Sequence, residues 1–159
     1  MLINLYDFEK ESKRLLSKTD YDFISGGATD EVTLRRTRAI YDSISLRPRM
    51  LVDVSQTEIS TTILEHNINL PIMLAPTGNH TKAHKDGELA TVRAAGNIGT
   101  IMILSINAGY LMEEVAKEAT GPIWFQHYMF KDRELTLSMI HKAENLGYSA
   151  LCMTLDTRG

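Results

Sequence analysis

The chain has 159 residues, 43% apolar and 23% charged, with a net charge of −3. That suits one soluble core and, with no basic run, argues against nucleic acid as a partner. No apolar run approaches the ~18 residues of a membrane span, no signal-peptide core follows Met1, and the lone Cys152 has no intrachain partner for a disulfide, so the expectation is a cytoplasmic protein.

In chain order, residues 4–16 read as a helix, with Asn4 as N-cap and Leu5, Phe8, Leu15 and Leu16 on an apolar face. A short helix is expected over Thr19–Ser25, ended by Gly26 and Gly27 in left-handed backbone, and a third over Asp30–Ser43. Arg47, Pro48 and Arg49 are extended, because a residue before proline avoids the helical region. Thr61–Leu64 and Ile68–Leu70, split by Glu65, His66 and Asn67, read as a small hairpin.

From Pro71 the grammar changes. Ile72–Ala75 is an apolar run between turn signals, suited to a strand buried on both faces, and Pro76 ends it because proline cannot donate to a ladder. Ile101–Leu104 ends in Ser105, Ile123–Phe125 in Gln126, His127 and Tyr128, and Ala150–Met153 in Thr154, Leu155 and Asp156. Helices are expected between them, over Gly87–Asn97, Leu111–Ala119 and Arg133–Asn145. The alternation predicts parallel βα units. No glycine fingerprint of a dinucleotide fold and no phosphate loop occurs. Polar groups at every strand exit suit a (β/α)8 barrel, whose chemistry sits on the loops at the carboxyl ends of its strands. The expected architecture is α/β: residues 1–70 form a helical extension with a small hairpin, and residues 71–159 form the first half of a barrel, four parallel strands ending in the loop after the fourth.

Six segments occur in register: Tyr21–Ala28 (YDFISGGA), Leu46–Arg49 (LRPR), Pro71–Thr77 (PIMLAPT), Ala83–His84 with Gly87–Glu88, Gln126–Tyr128 (QHY) with Lys131–Asp132, and Thr154–Thr157 (TLDT). Together they resemble the N-terminal half of the FMN-dependent α-hydroxy-acid dehydrogenases and oxidases. The resemblance implies an FMN flavoprotein, an oxidoreductase that converts a small L-2-hydroxy acid to a 2-oxo acid. It implies that the backbone of Ala75, Pro76, Thr77 and Gly78 lies against the flavin, and that Ser105, Gln126 and Thr154 hydrogen-bond its ring. It gives Tyr128 the substrate oxygen, and Asp156 the orientation of a catalytic histidine. Phe23 stands where the family commonly has a substrate-binding tyrosine, and Asn107 where a bulky aromatic often shapes the substrate pocket. The family's histidine, lysine, arginines and phosphate loops match nothing in these residues, so the expectation is a gene fragment or shortened form, inactive alone, of a protein that forms homo-oligomers.

Two other readings stay open: another FMN-binding barrel enzyme, and a non-catalytic half-barrel that works by self-association or docking. His80 and His84, four residues apart, have the spacing of metal ligands, but no glutamate follows His80 as the zinc-protease motif requires, and the expectation is no metal. Cys152 reads as a small buried hydrophobe. His66, His127 and His141 read as surface or core residues.

Overall fold

The computed structural model describes residues 2–156, so Thr157, the end of the TLDT segment, lies outside the described residues. The chain divides into two compact units between Thr57 and Glu58.

The first unit is helical: α1 (Leu5–Leu15), α2 (Lys18–Ser25) and α3 (Val32–Ala39), the last running into a 3-10 turn at Ile40–Ser43 rather than continuing as one helix. Asn4 caps α1 as expected, its Oδ1 accepting from the backbone N–H groups of Tyr6 at 2.9 Å and Asp7 at 3.1 Å. Ser17 does the same for α2, accepting from Asp20 N. Gly26 ends α2 at φ −77°, not in left-handed backbone. A Cβ there would stand 2.7 Å from the Asp22 carbonyl oxygen, so the glycine supplies room rather than handedness. The Arg38 guanidinium lies 3.9 Å from the Tyr6 ring centre and links α3 to α1. None of the three helices buries a residue, and Leu5, Phe8 and Leu15 are exposed. Three helices of two to three turns are too short to enclose a core among themselves.

The second unit opens with an antiparallel hairpin, β1 (Thr61–Ile63) and β2 (His66–Ile68). Its turn is Leu64 and Glu65, both at positive φ (43° and 68°), so the loop is two residues long and His66 and Asn67 belong to the strand. Asn69 ties the hairpin to the end of α4 (Gly87–Ile98), donating through N to Gly99 O and through Nδ2 to Ile98 O, each at 2.9 Å.

Beyond it lie β3 (Met102–Ser105), α5 (Met112–Glu118), β4 (Ile123–Tyr128), α6 (Arg133–Asn145) and β5 (Leu151–Thr154). β3, β4 and β5 form a parallel sheet in sequence order. Of the four expected strands the first, Ile72–Ala75, is reduced to a single parallel bridge, Leu74 against Met102. Leu74 N donates to Ile101 O and Leu74 O accepts from Ile103 N, but tight bonds from Ile72 N to Leu70 O and from Thr77 N to Ala75 O, both 2.8 Å, turn the chain on either side. Pro71 and Pro76 offer no N–H, so only Leu74 is left to pair. The run is not buried on both faces either, since Ile72 is 63% exposed.

Alternation divides the sheet. Met102, Leu104, Ile123 and Phe125 face the helices and pack with Val92 and Ala95 of α4, Met112 and Val115 of α5, and Ala143 of α6. Tyr148 completes this core, its hydroxyl donating to Met112 O at 2.9 Å. The opposite face carries Ile103, Ser105, Trp124, Gln126, Tyr128, Cys152 and Thr154, by the registers Ser105–Gln126, Gln126–Cys152 and Tyr128–Thr154. Cys152 is therefore half-buried on that face rather than a core residue.

His127 is fully buried on the helix side, stacked on Phe125 and edge-on to Phe130, with neither ring nitrogen bonded among the described residues. Burial holds its imidazole below the ordinary histidine range. The unfolded chain then takes up the proton first, so stability falls as pH drops below about 6.5. The urea midpoint is expected to decline between pH 7 and pH 5, and less steeply in His127→Leu; an equal slope in both proteins would remove His127 as the cause.

Among the described residues β5 is paired on one side only, and its Leu151 is 42% exposed. Such an edge recruits another strand. A polypeptide of residues 1–159 is expected to dimerise or aggregate at micromolar concentration, and light scattering that shows a stable monomer would mean the edge is protected.

Candidate active site

Three strand exits converge on the face opposite the helices. Ser105 ends β3, Gln126 lies near the end of β4, and Thr154 ends β5. Ser105 and Gln126 are 4% and 1% exposed, yet each polar atom is engaged. Ser105 Oγ donates to Gln126 Oε1 at 3.1 Å and accepts from Asn107 N at 3.1 Å. Gln126 Oε1 also accepts from Ile106 N at 3.3 Å, and Nε2 donates to Thr154 Oγ1 at 2.9 Å. Two donors on Oε1 settle which way the amide points. The ladder thus leaves one Gln126 N–H and the Thr154 O–H as directed donors. Tyr128 follows two residues after Gln126, in register with Thr154. Asp156 follows two residues after Thr154 and is exposed.

The loop after Leu74 lies alongside. Ala75, Thr77 and Gly78 are exposed and Pro76 is half-buried. A Cβ on Gly78 would come within 3.1 Å of the Asn107 Cβ and 3.2 Å of its carbonyl oxygen, so glycine permits the close approach in which Asn79 N donates to Asn107 O at 3.0 Å. Glu88 makes a second tie. It is fully buried, and its Oε1 accepts from His80 N and Gly109 N, each at 2.9 Å. Burial pushes its carboxyl up, but the N–H groups of Gly109, His80 and its own residue, with the His80 charge, outweigh that and hold it below the usual range. Its Oε2 has no partner among the described residues.

The second unit therefore brings together Gly78, Ser105, Asn107, Gln126, Tyr128 and Thr154; Ala75, Pro76 and Thr77 precede Gly78 on its loop, and Asp156 follows Thr154 by two residues. Phe23 stands on α2 in the first unit, 65% exposed. His80 and His84 serve separate ends: His80 contacts Thr77 and Thr91, whereas His84 Nδ1 accepts from Asp86 N at 3.2 Å. Among the described residues no cluster of three or more His, Cys, Asp or Glu could hold a metal.

The motif reading quoted Glu88 but gave it no role, and it missed Thr91. A signal for Glu88 was present. Glu88, Val92 and Ala95 share one buried stripe of α4, and an acid on a core stripe needs buried partners.

A polar ladder across the carboxyl ends of parallel strands, with helices on the other face, defines an α/β protein built to bind at its strand exits. The sequence profile of the FMN-dependent dehydrogenases matches residues 12–159, and the chain belongs to that family. It is 43% identical over 155 residues to a peroxisomal (S)-2-hydroxy-acid oxidase of Oryza sativa, covering 98% of this chain and 42% of the relative. It is 44% identical over 158 residues to an L-lactate oxidase of Nostoc, covering 97% and 43%. Mandelate oxidase superposes with a TM-score of 0.94 at 29% identity, over 99% of this chain and 46% of that one. The chain thus spans less than half the length of these relatives, and its α/β fold matches part of theirs.

The site fits the family's flavin in the chemistry of its donors. An isoalloxazine edge alternates acceptors and donors, and the free Gln126 N–H and Thr154 O–H suit its carbonyl and ring-nitrogen acceptors.

Proposed function

We propose that this chain supplies one side of the flavin and substrate site of an FMN-dependent enzyme that oxidises an L-2-hydroxy acid to a 2-oxo acid, built on the first half of a (β/α)8 barrel. The observation that carries this reading is the Ser105–Gln126–Thr154 ladder, buried yet ending in oriented donors at the strand exits. The relatives named as hydroxy-acid, lactate and mandelate oxidases support the substrate class.

The reaction removes a hydride equivalent from the α-carbon and a proton from the hydroxyl. FMN, when bound, is the acceptor of the two electrons. Gln126 and Thr154 hold the ring edge, and hydrogen bonds there tune its electron affinity. Ala75, Pro76, Thr77 and Gly78 present backbone to it. Tyr128 steadies the substrate oxygen as charge develops. Asp156 orients a histidine contributed from outside residues 1–159. Asn107 borders the substrate.

Ring contacts of this kind do not distinguish FMN from riboflavin. Titrations of the purified chain, followed by flavin fluorescence, are expected to give equal affinities for the two. Thr154→Val, which keeps the side-chain shape but loses the bond to the ring and the acceptor of Gln126 Nε2, is expected to weaken both by at least about two- to tenfold. A strong preference for FMN, or a Thr154→Val protein that binds as the parent does, would contradict the ring assignment.

A further inference from the structure

A hydrogen-bond chain beside the strand exits has no part in the reaction described above. Thr91 Oγ1 donates to Gly87 O at 3.2 Å, the back-bond of a helical threonine. A hydroxyl has one proton, and a carbonyl oxygen can only accept. Thr91 Oγ1 also lies 3.0 Å from His80 Nδ1, so it meets that nitrogen with a lone pair, and Nδ1 carries the ring proton. In neutral imidazole the other nitrogen is then an acceptor. The partner of Nε2 is Thr77 Oγ1, so the Thr77 hydroxyl donates inward to His80. Its lone pairs are what it shows on the exposed side.

We propose that Thr91 locks His80 in its Nδ1–H form, and that His80 thereby makes the Thr77 hydroxyl a hydrogen-bond acceptor at the strand exits, ready for an N–H group of the bound flavin ring. This rests on the flavin reading above and adds a polarity to it: Gln126 and Thr154 offer donors, and Thr77 offers an acceptor. His80 and Thr91 are positioning residues that act through Thr77. The backbone of His80 is itself held by Glu88 of α4, so the imidazole starts from a fixed root.

The ring proton is observable without any ligand. Nitrogen-15 spectra of the histidine-labelled chain at alkaline pH separate a protonated from a bare ring nitrogen, and His80→Asn assigns the signal among the five histidines. The expected result is Nδ1–H in the parent chain and in Thr91→Ser, and a shift to Nε2–H in Thr91→Val, which has no acceptor to offer. In parallel, Thr91→Val is expected to weaken riboflavin and FMN binding about two- to tenfold, with Thr91→Ser binding as the parent does. His80 found as Nε2–H in the parent chain, an unshifted tautomer in Thr91→Val, or unchanged flavin affinity in that variant would each overturn the proposal. A parent chain that binds neither flavin would overturn the flavin reading and the ligand assigned to Thr77. An Nδ1–H result in the same protein would still establish the inward-donating Thr77.

Discussion

A polypeptide of residues 1–159, mixed anaerobically with excess FMN and then with glycolate, lactate or mandelate, is expected to leave the flavin oxidised. In the proposed reading its strand exits hold a ring edge through Gln126 and Thr154 and a substrate oxygen through Tyr128. Neither Tyr128 nor Asp156 is placed as a proton acceptor. Asp156 is exposed, and its assigned role is to orient a histidine. Neither His127 nor His80 is available for that role: His127 is buried on the helix side of the sheet, and His80 is engaged by Thr77 and Thr91. Absence of a general base costs about 10²–10⁴-fold in rate. None of the residues placed at the site is Lys or Arg, and without a cation for the substrate carboxylate the positioning that is worth up to about 7–11 kcal/mol is also lost. The two losses need not add, but both act in the same direction. Substrate-dependent bleaching of the flavin would refute this and would require a base among residues 1–159.

Glu88→Ala is expected to lower the stability of the second unit by several kcal/mol, read as a fall in the urea midpoint at unchanged slope. Glu88 Oε1 is the shared acceptor for His80 N and Gly109 N. Its removal leaves two backbone donors unpaired where the carboxylate was fully buried, at about 1–3 kcal/mol each. Against a typical domain stability of about 5–15 kcal/mol, that is a large fraction. Glu88→Gln keeps an acceptor in place and is expected to lose less. The two variants also differ from the parent in acid. The Glu88 carboxyl lies below its ordinary value when folded, so its contribution is complete above the unfolded value near 4.3 and is lost as pH falls through the lower folded one. The glutamine variant should show less of that acid loss. A Glu88→Ala midpoint equal to the parent's would mean that solvent replaces the carboxylate, and that the two loops do not depend on it.

Both loops tied by Glu88 carry proposed ligand contacts, Thr77 and Gly78 on one and Asn107 on the other. The same substitution is therefore expected to reduce flavin affinity even where the fold survives. That outcome separates a tether of the site from a residue that matters to stability alone.

Much of this was legible from residues in order. Apolar runs at roughly 25-residue spacing, each ending in Ser, Gln or Thr, located three parallel strands and the polar residues at their exits. Parallel strand order follows from the strand–helix alternation, and the Asn4 cap from local sequence; the Ser17 cap appeared only in the structure. Other features arise only where distant segments meet. The Leu74 run has the composition of a strand, but turns imposed beside Pro71 and Pro76 leave it one ladder position. Gly26 reads as a left-handed stop, yet its role is room beside the Asp22 carbonyl. Glu88 stood in the sequence only as part of a motif, with no role. Burial between two loops made it a tether, because only in the fold do His80 N and Gly109 N reach the same oxygen. The polarity of Thr77 is further still from the sequence. It depends on the order of donors and acceptors along Thr91, His80 and Thr77, three residues that a linear reading has no reason to join.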